Sequence, residues 1–150
     1  MEKVEMNTSM KLSPHFTLGE LTKTKHVTPD GNIPSHVVIE NLKRLCPWLE
    51  ELRRRYNEPI IINSGYRSPA VNKLAGGAAN SNHLTGCAVD IRTYGMEQAM
   101  RYAVILMDYA DDSNLDFDEI LIEKNSKGSI WLHFAVRPQG NRRRIEFLKA

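Results

Sequence analysis

Apolar positions recur along this chain with two periods, and the changes between them mark out its elements. Val38, Leu42, Leu45, Leu49, Leu52 and Tyr56 are spaced 4, 3, 4, 3 and 4 apart, one stripe of a helix over residues 35 to 56. Pro47 falls inside that stripe. A proline removes a hydrogen bond and crowds the carbonyl one turn back, so the pattern predicts a kink or break just before it. Arg53, Arg54 and Arg55 fall on the wet side. A second helix is predicted over residues 96 to 110. Pro59 to Asn63 reads as a buried strand. Cys87, Val89 and Ile91 alternate with Ala88, Asp90 and Arg92, which predicts a strand with one apolar face. Ile120 to Glu123 and Ile130 to Val136 read as two strands. Lys124 to Ser129, a loop of hairpin length containing Gly128, joins them.

The remaining segments are punctuated rather than periodic. Pro14, Pro29, Gly31 and Pro34 make residues 13 to 34 mostly irregular. Thr17 followed three residues later by Glu20 has the form of a capping box, so one short helical turn is expected there. Ser68 before Pro69 is a helix start: a hydroxyl to cap, then a residue whose missing N–H costs nothing at the first position. Gly76 and Gly77 open a loop of small residues. Residues 1 to 12 read as a loose tail, and residues 13 to 150 as a single domain.

Composition changes this picture little. A chain of 150 residues suits one domain, and 41% hydrophobic with 25% charged residues is ordinary for a soluble globular protein. A net charge of +2 is too small to argue for nucleic acid. Arg142, Arg143 and Arg144 read as a solvated edge. Cys46 and Cys87 lie on apolar segments without a CxxC pair and read as buried small hydrophobes. No run approaches the roughly 20 apolar residues of a membrane span, and none resembles a signal peptide. The expectation is a chain made in the cytoplasm, without membrane insertion, and monomeric.

Candidate chemistry centres on three residues. In the strand 130 to 136, Ile130, Leu132, Phe134 and Val136 share one face, and Trp131, His133 and Ala135 the other. His133 therefore stands on a rigid mount away from the aliphatic face, although a hydrogen-bonded sheet histidine is the ordinary reading of one such residue. Asp90 falls opposite Cys87, Val89 and Ile91. A carboxylate there needs a partner, either a metal or an arginine such as Arg67 or Arg92. Seven residues separate His83 from Asp90, about 23 Å if extended, and Gly86 supplies a point where the chain can fold back. Two histidines and an aspartate are a donor set typical of catalytic zinc, which keeps a fourth position for water. Glu123, in the hairpin leading to His133, is the candidate general base. Asp118 and Glu119 are its alternatives. Arg67 supplies a fixed positive charge for a carbonyl oxygen.

Several stretches together carry a resemblance. They are Ser64-Gly65-Tyr66-Arg67-Ser68-Pro69, Asn72, Gly76-Gly77, and the run from Ser81 through His83 to Asp90, closed by Trp131-Leu132-His133. Over roughly residues 14 to 137 they resemble the zinc D-Ala-D-Ala carboxypeptidases of peptidase family M15. Phe16-Thr17-Leu18-Gly19-Glu20-Leu21 is similar to the lead-in of that family's compact phage and prophage branch. The resemblance implies an α+β fold related to hedgehog-type domains: a small antiparallel sheet carrying zinc on one face, with helices packed on the other. It implies His83, Asp90 and His133 as zinc ligands and Arg67 as the arginine facing the substrate. It also implies Ser81, Tyr66 and Trp131 as substrate contacts. Many members place an acidic residue three positions before the last histidine. Here that position is Ile130, and Glu123 fits the role by topology.

The function implied is hydrolysis of peptide bonds in bacterial peptidoglycan stem peptides, by a phage- or prophage-encoded enzyme that reaches the wall after release or within a virion. The alternative is a catalytically silent zinc-binding module of a phage structural protein. The position of Glu123 relative to the metal separates the two.

Overall fold

The computed structural model describes residues 6 to 150. Its elements, in order, begin with a small ribbon of β1 (Lys11–Ser13) and β2 (Phe16–Thr17), then the long helix α1 (His36–Tyr56). Next come β3 (Ile62–Ser64), α2 (Pro69–Leu74), a 3-10 turn (Asn82–Thr85) and β4 (Ala88–Arg92). The chain ends with α3 (Met96–Ser113), β5 (Glu119–Lys124), β6 (Ile130–Ala135) and β7 (Arg144–Lys149).

The apolar stripe of α1 is the core: Val38, Leu42, Leu45, Leu49 and Leu52 are all buried. Ser35 starts the helix by accepting from the Val38 N–H, and Asn57 ends it in a left-handed conformation with φ 60°. The break expected at Pro47 does not occur, and α1 is continuous from His36 to Tyr56. Pro47 and Lys43, one turn earlier, are both exposed, so water can take the carbonyl that proline leaves unbonded. Trp48 ties the layers together, with its ring 5.0 Å from Tyr109 of α3 and 5.3 Å from Phe134 of β6.

The main sheet has the order β3-β4-β6-β5-β7. Its apolar face, which includes Val89, Ile91, Ile120, Ile122, Leu132 and Phe134, is buried in the common core with α1 and α3. The sheet is not wholly antiparallel, because β7 runs parallel to β5. β7 lies outside the strands expected from patterning. Its Ile145 and Phe147 remain exposed, so it carries none of the burial that marks the other strands. Strand β3 begins only at Ile62, three residues into the stretch expected from Pro59, and runs one residue past Asn63, although the Ile61 carbonyl still accepts from the Arg92 N–H. Helix α3 continues three residues past Ala110.

The N-terminal expectation divides in two. Residues 1 to 5 lie outside the described residues. Met6 and Leu12 pack on the core, and β1 starts at Lys11, inside the expected tail. The Thr17–Glu20 capping box forms reciprocally, with both backbone N–H to side-chain distances at 3.2 Å. Cys46 and Cys87 are buried free thiols. Among the described residues no helix is long and apolar enough to cross a membrane.

Candidate metal centre

His83, Asp90 and His133 meet on the polar face of the sheet. Asp90 and His133 are direct cross-strand partners on β4 and β6, so their side chains rise side by side. His83 arrives on the 3-10 turn, whose first N–H groups are capped by Ser81; the Ser81 Oγ accepts from the His83 N–H at 3.1 Å. Gly86 then reverses the chain with φ 76°. A side chain there would meet Val38, since a Cβ would sit 2.8 Å from its Cγ1 and carbonyl oxygen. That turn brings His83 Nε2 within 3.2 Å of Asp90 Oδ1. His133 Nδ1 lies 3.1 Å from the same oxygen. One donor atom from each of the three residues lies within 4.8 Å of the others, and all three residues are buried.

The outward nitrogen of each imidazole has an acceptor of its own. His83 Nδ1 is 2.7 Å from the Gly65 carbonyl oxygen, and His133 Nε2 is 3.0 Å from Glu119 Oε1. Carbonyl and carboxylate oxygens only accept, so these nitrogens carry the hydrogens. The other nitrogen of each ring then points at Asp90. Two imidazole lone pairs and a carboxylate oxygen converging on one point need a cation between them. The donor chemistry fits a divalent metal.

A proton answers the same need in the metal-free protein. Burial disfavours a charged His133, but the Asp90 and Glu119 carboxylates outweigh it and push its pKa up to about 10. Burial likewise opposes charge on Asp90, yet His83 and His133 hold its carboxyl far below the usual range. Glu119 is held at about 2: burial opposes, and the His133 and Asn82 contacts prevail.

Arg67 secures the far side of Asp90. Its Nη2 lies 3.1 Å from Asp90 Oδ2, and its Nε donates to Ser64 Oγ at 3.0 Å. Gly77 leaves room beside it, since a Cβ there would sit 2.0 Å from Asn72 Oδ1 and 3.1 Å from Arg67 Nη1. Glu123 and Trp131 are cross-strand partners, and Trp131 Nε1 donates to Glu123 Oε2 at 2.6 Å. Burial, and then the charge of Asp90, push the Glu123 carboxyl above its ordinary range. Arg67, Ser81, Glu123 and Trp131 all line one cleft of about 400 Å³ with the three candidate ligands.

Tyr66 does not line that cleft. It is buried in the core, and its N–H donates to the Leu21 carbonyl. Successive side chains on an extended segment point to opposite sides, so Arg67 facing the site sends Tyr66 inward. The basic run is the exposed edge that its pattern predicts, but its side chains are paired rather than free. Arg142 grips Asp118 with Nε at 3.0 Å and Nη2 at 2.8 Å, and Arg144 Nη1 lies 2.9 Å from Glu119 Oε2. Asn82 Nδ2 bridges Asp118 Oδ2 at 2.8 Å and Glu119 Oε1 at 2.7 Å. Arg137 joins them, with Nε 3.0 Å from Asn82 Oδ1 and 3.2 Å from Asp118 Oδ2. Asn82, Asp118 and Arg137 thus support the site, and only Asp118, as an alternative base, stood out along the chain. The available signal was the alternation of Glu119 with Ile120, which puts that carboxylate on the polar face.

The geometry has a counterpart among known sequences. Residues 14–112 match the model of the family described as Peptidase M15. The chain belongs to the peptidase M15 family. Within this M15 chain, 78 residues are 31% identical to the zinc D-Ala-D-Ala carboxypeptidase of Streptomyces albus G. That match covers 51% of this chain and 31% of the relative, so the M15 chain aligns with about a third of its length. The crystal structure of the L-Ala D-Glu endopeptidase ChiX of Serratia marcescens is also similar, with a TM-score of 0.41 at 23% identity. That alignment covers 68% of this chain and 87% of the other.

Proposed function

We propose that this chain is a zinc-dependent peptidase that hydrolyses peptide bonds in peptidoglycan stem peptides. The observation that carries the reading is Glu123 on the same cleft as the His83, Asp90 and His133 cluster, with its carboxyl pushed up by burial. Family membership and the printed activity of the Streptomyces relative support it.

In this reading His83 Nε2, Asp90 Oδ1 and His133 Nδ1 hold the metal. Bound there, zinc supplies a Lewis acid that polarises the scissile carbonyl and acidifies a water. Glu123 moves the proton. Its Oε2 is held by Trp131, and its Oε1 takes a proton from the attacking water and delivers it to the leaving amine. A carboxyl whose pKa lies above the ordinary range accepts a proton more readily than an ordinary carboxylate and can still return it. Arg67 is fixed by Ser64 and Asp90, and its remaining N–H groups face the substrate oxygen that gains charge. Ser81 and Trp131 form the walls against which the peptide lies.

Origin in a phage or prophage, with access to the wall after release, is part of the same proposal and rests on the Phe16 to Leu21 lead-in. Digestion of purified peptidoglycan by the zinc-loaded protein, read by mass spectrometry, tests the function. Released or shortened stem peptides that vanish with a chelator and return with zinc are expected. Intact peptides under all conditions would favour a silent zinc-binding module.

A further inference from the structure

Positive charge stands at both rims of the cleft. Arg67 follows β3 at one edge of the sheet, Arg137 lies just past the end of β6, four residues beyond His133, and Arg142 leads into β7 and Arg144 begins it at the other edge. The strand order puts Asp90 and His133 between these rims. Neighbouring strands are about 4.8 Å apart, so the β7 rim lies on the order of 10 Å from the strand of His133.

The three arginines lie above their counter-charges. Asp118 is 0% exposed and Glu119 9%, whereas Arg137, Arg142 and Arg144 are 34%, 47% and 39% exposed. A molecule entering the cleft meets guanidinium before carboxylate. Each fork is also only partly engaged. Arg142 uses Nε and Nη2 on Asp118, and Arg144 uses Nη1 on Glu119 and Nη2 on Glu146. Arg137 uses only Nε, 3.0 Å from Asn82 Oδ1 and 3.2 Å from Asp118 Oδ2. Among the described residues, neither terminal nitrogen of Arg137 has an acceptor, nor does Nη1 of Arg142.

The loop carrying them is pinned. The Arg137 N–H donates to Asn141 Oδ1 at 2.7 Å, and Asn141 Nδ2 donates back to the Arg137 carbonyl at 3.0 Å. The Arg142 N–H donates to Asp118 Oδ1 at 3.1 Å. Donors fixed in advance lose little freedom when a ligand arrives. An arginine fork with both terminal nitrogens open matches the two oxygens of a carboxylate.

We propose that Arg137, supported by Arg142 and Arg144, forms a subsite for a free carboxylate of the peptide substrate, two to three residues from the cleaved bond. The spacing follows from the relay that runs from Arg137 Nε to Asn82 (3.0 Å), from Asn82 to Glu119 (2.7 Å) and from Glu119 to His133 (3.0 Å). It puts Arg137 on the order of 10 Å from the His133 ring, two to three residues of an extended peptide at about 3.4 Å each. The inference rests on reading the cleft as a peptidase site.

The test is binding of short D-amino-acid peptides to the zinc-loaded protein. Each peptide carries one glutamate at a different position and is paired with its glutamine counterpart. Affinity is read by calorimetry, and contact by the Arg137 Nε–Hε resonance. One glutamate peptide should bind about tenfold more tightly than its glutamine partner and shift that resonance. Arg137→Ala should remove most of the difference by lowering the glutamate peptide's affinity far more than the glutamine peptide's, and Arg137→Lys should restore part of it. A purely structural role would weaken both members of the pair equally. Equal affinities in every pair, equal losses in Arg137→Ala, or no binding of any glutamate peptide overturns the proposal. Cleavage of the same peptides is followed separately, so absence of turnover counts against the peptidase reading alone.

Discussion

Glu119 Oε1 lies 3.0 Å from His133 Nε2, and that contact decides which ring nitrogen of His133 faces Asp90. Glu119 is itself held by Asn82 on one oxygen and Arg144 on the other. Residues that orient a ligand in this way are typically worth about 10- to 100-fold in metal affinity. Glu119→Ala should weaken zinc binding by about that factor, measured by competition with a chelator. Glu119→Gln keeps an acceptor for the His133 N–H and should lose less. Unchanged affinity in Glu119→Ala would remove this residue from the support of the site.

Glu123→Gln keeps the shape of the side chain and its bond to Trp131 but cannot take a proton. It should bind zinc normally and lose about 10² to 10⁴ in turnover. Near-normal turnover at equal zinc content would shift the base to Asp118 or Glu119. Those carboxyls are held down by Arg142 and His133 contacts, which makes both poor proton acceptors.

Trp131→Phe removes the hydrogen bond that stabilises the charged form of Glu123. The Glu123 carboxyl is already raised, by burial first, and losing a stabilising donor moves it further up. The acid limb of the pH–rate profile should therefore shift to higher pH. A shift to lower pH, or none, would contradict Glu123 as the group that titrates.

Arg67 touches both Asp90 and the open cleft. Arg67→Ala should lose about 10² to 10³ in turnover and also weaken zinc binding, because Asp90 Oδ2 loses its cationic partner. Arg67→Lys restores a charge beside Asp90 without the planar fork, so zinc affinity should recover more than turnover. Parallel recovery of both would reduce Arg67 to a structural ion pair.

The metal-free protein should respond to alkali through His133. Its folded pKa is raised from 6.5 to about 10, so its contribution to stability is complete below 6.5 and is lost as pH climbs through that window. Asp90 runs the other way. Its pKa is depressed, and its contribution is lost on acidification below the usual carboxylate range. Zinc held by His133 would replace that proton and so bind more tightly as pH rises. The gap in thermal midpoint between zinc-loaded and chelator-treated protein should widen from pH 6.5 toward pH 9. A gap that stays constant would argue against His133 as a ligand.

Local order was legible along the chain because it depends on near neighbours. The stripe from Val38 to Leu52, the Ser68 cap before Pro69 and the Thr17–Glu20 box each rest on interactions within one helical turn, and each forms as its residues dictate. The motif also placed His83, Asp90 and His133 in one set, since Gly86 and the alternation of β4 and β6 leave their side chains a shared face. What the chain by itself did not disclose is which distant groups share that face with them. The parallel pairing of β7 with β5 brings Arg144 opposite Glu119, and the 3-10 turn drops Asn82 between Glu119 and Asp118. Such partners are chosen by strand order and register across a sheet. One residue of slip would turn every side chain to the other face, and nothing within a few residues of Arg142 or Tyr66 specifies that choice. Only the tertiary packing sends Tyr66 into the core, threads α1 past Pro47 and sets three arginines above two buried carboxylates.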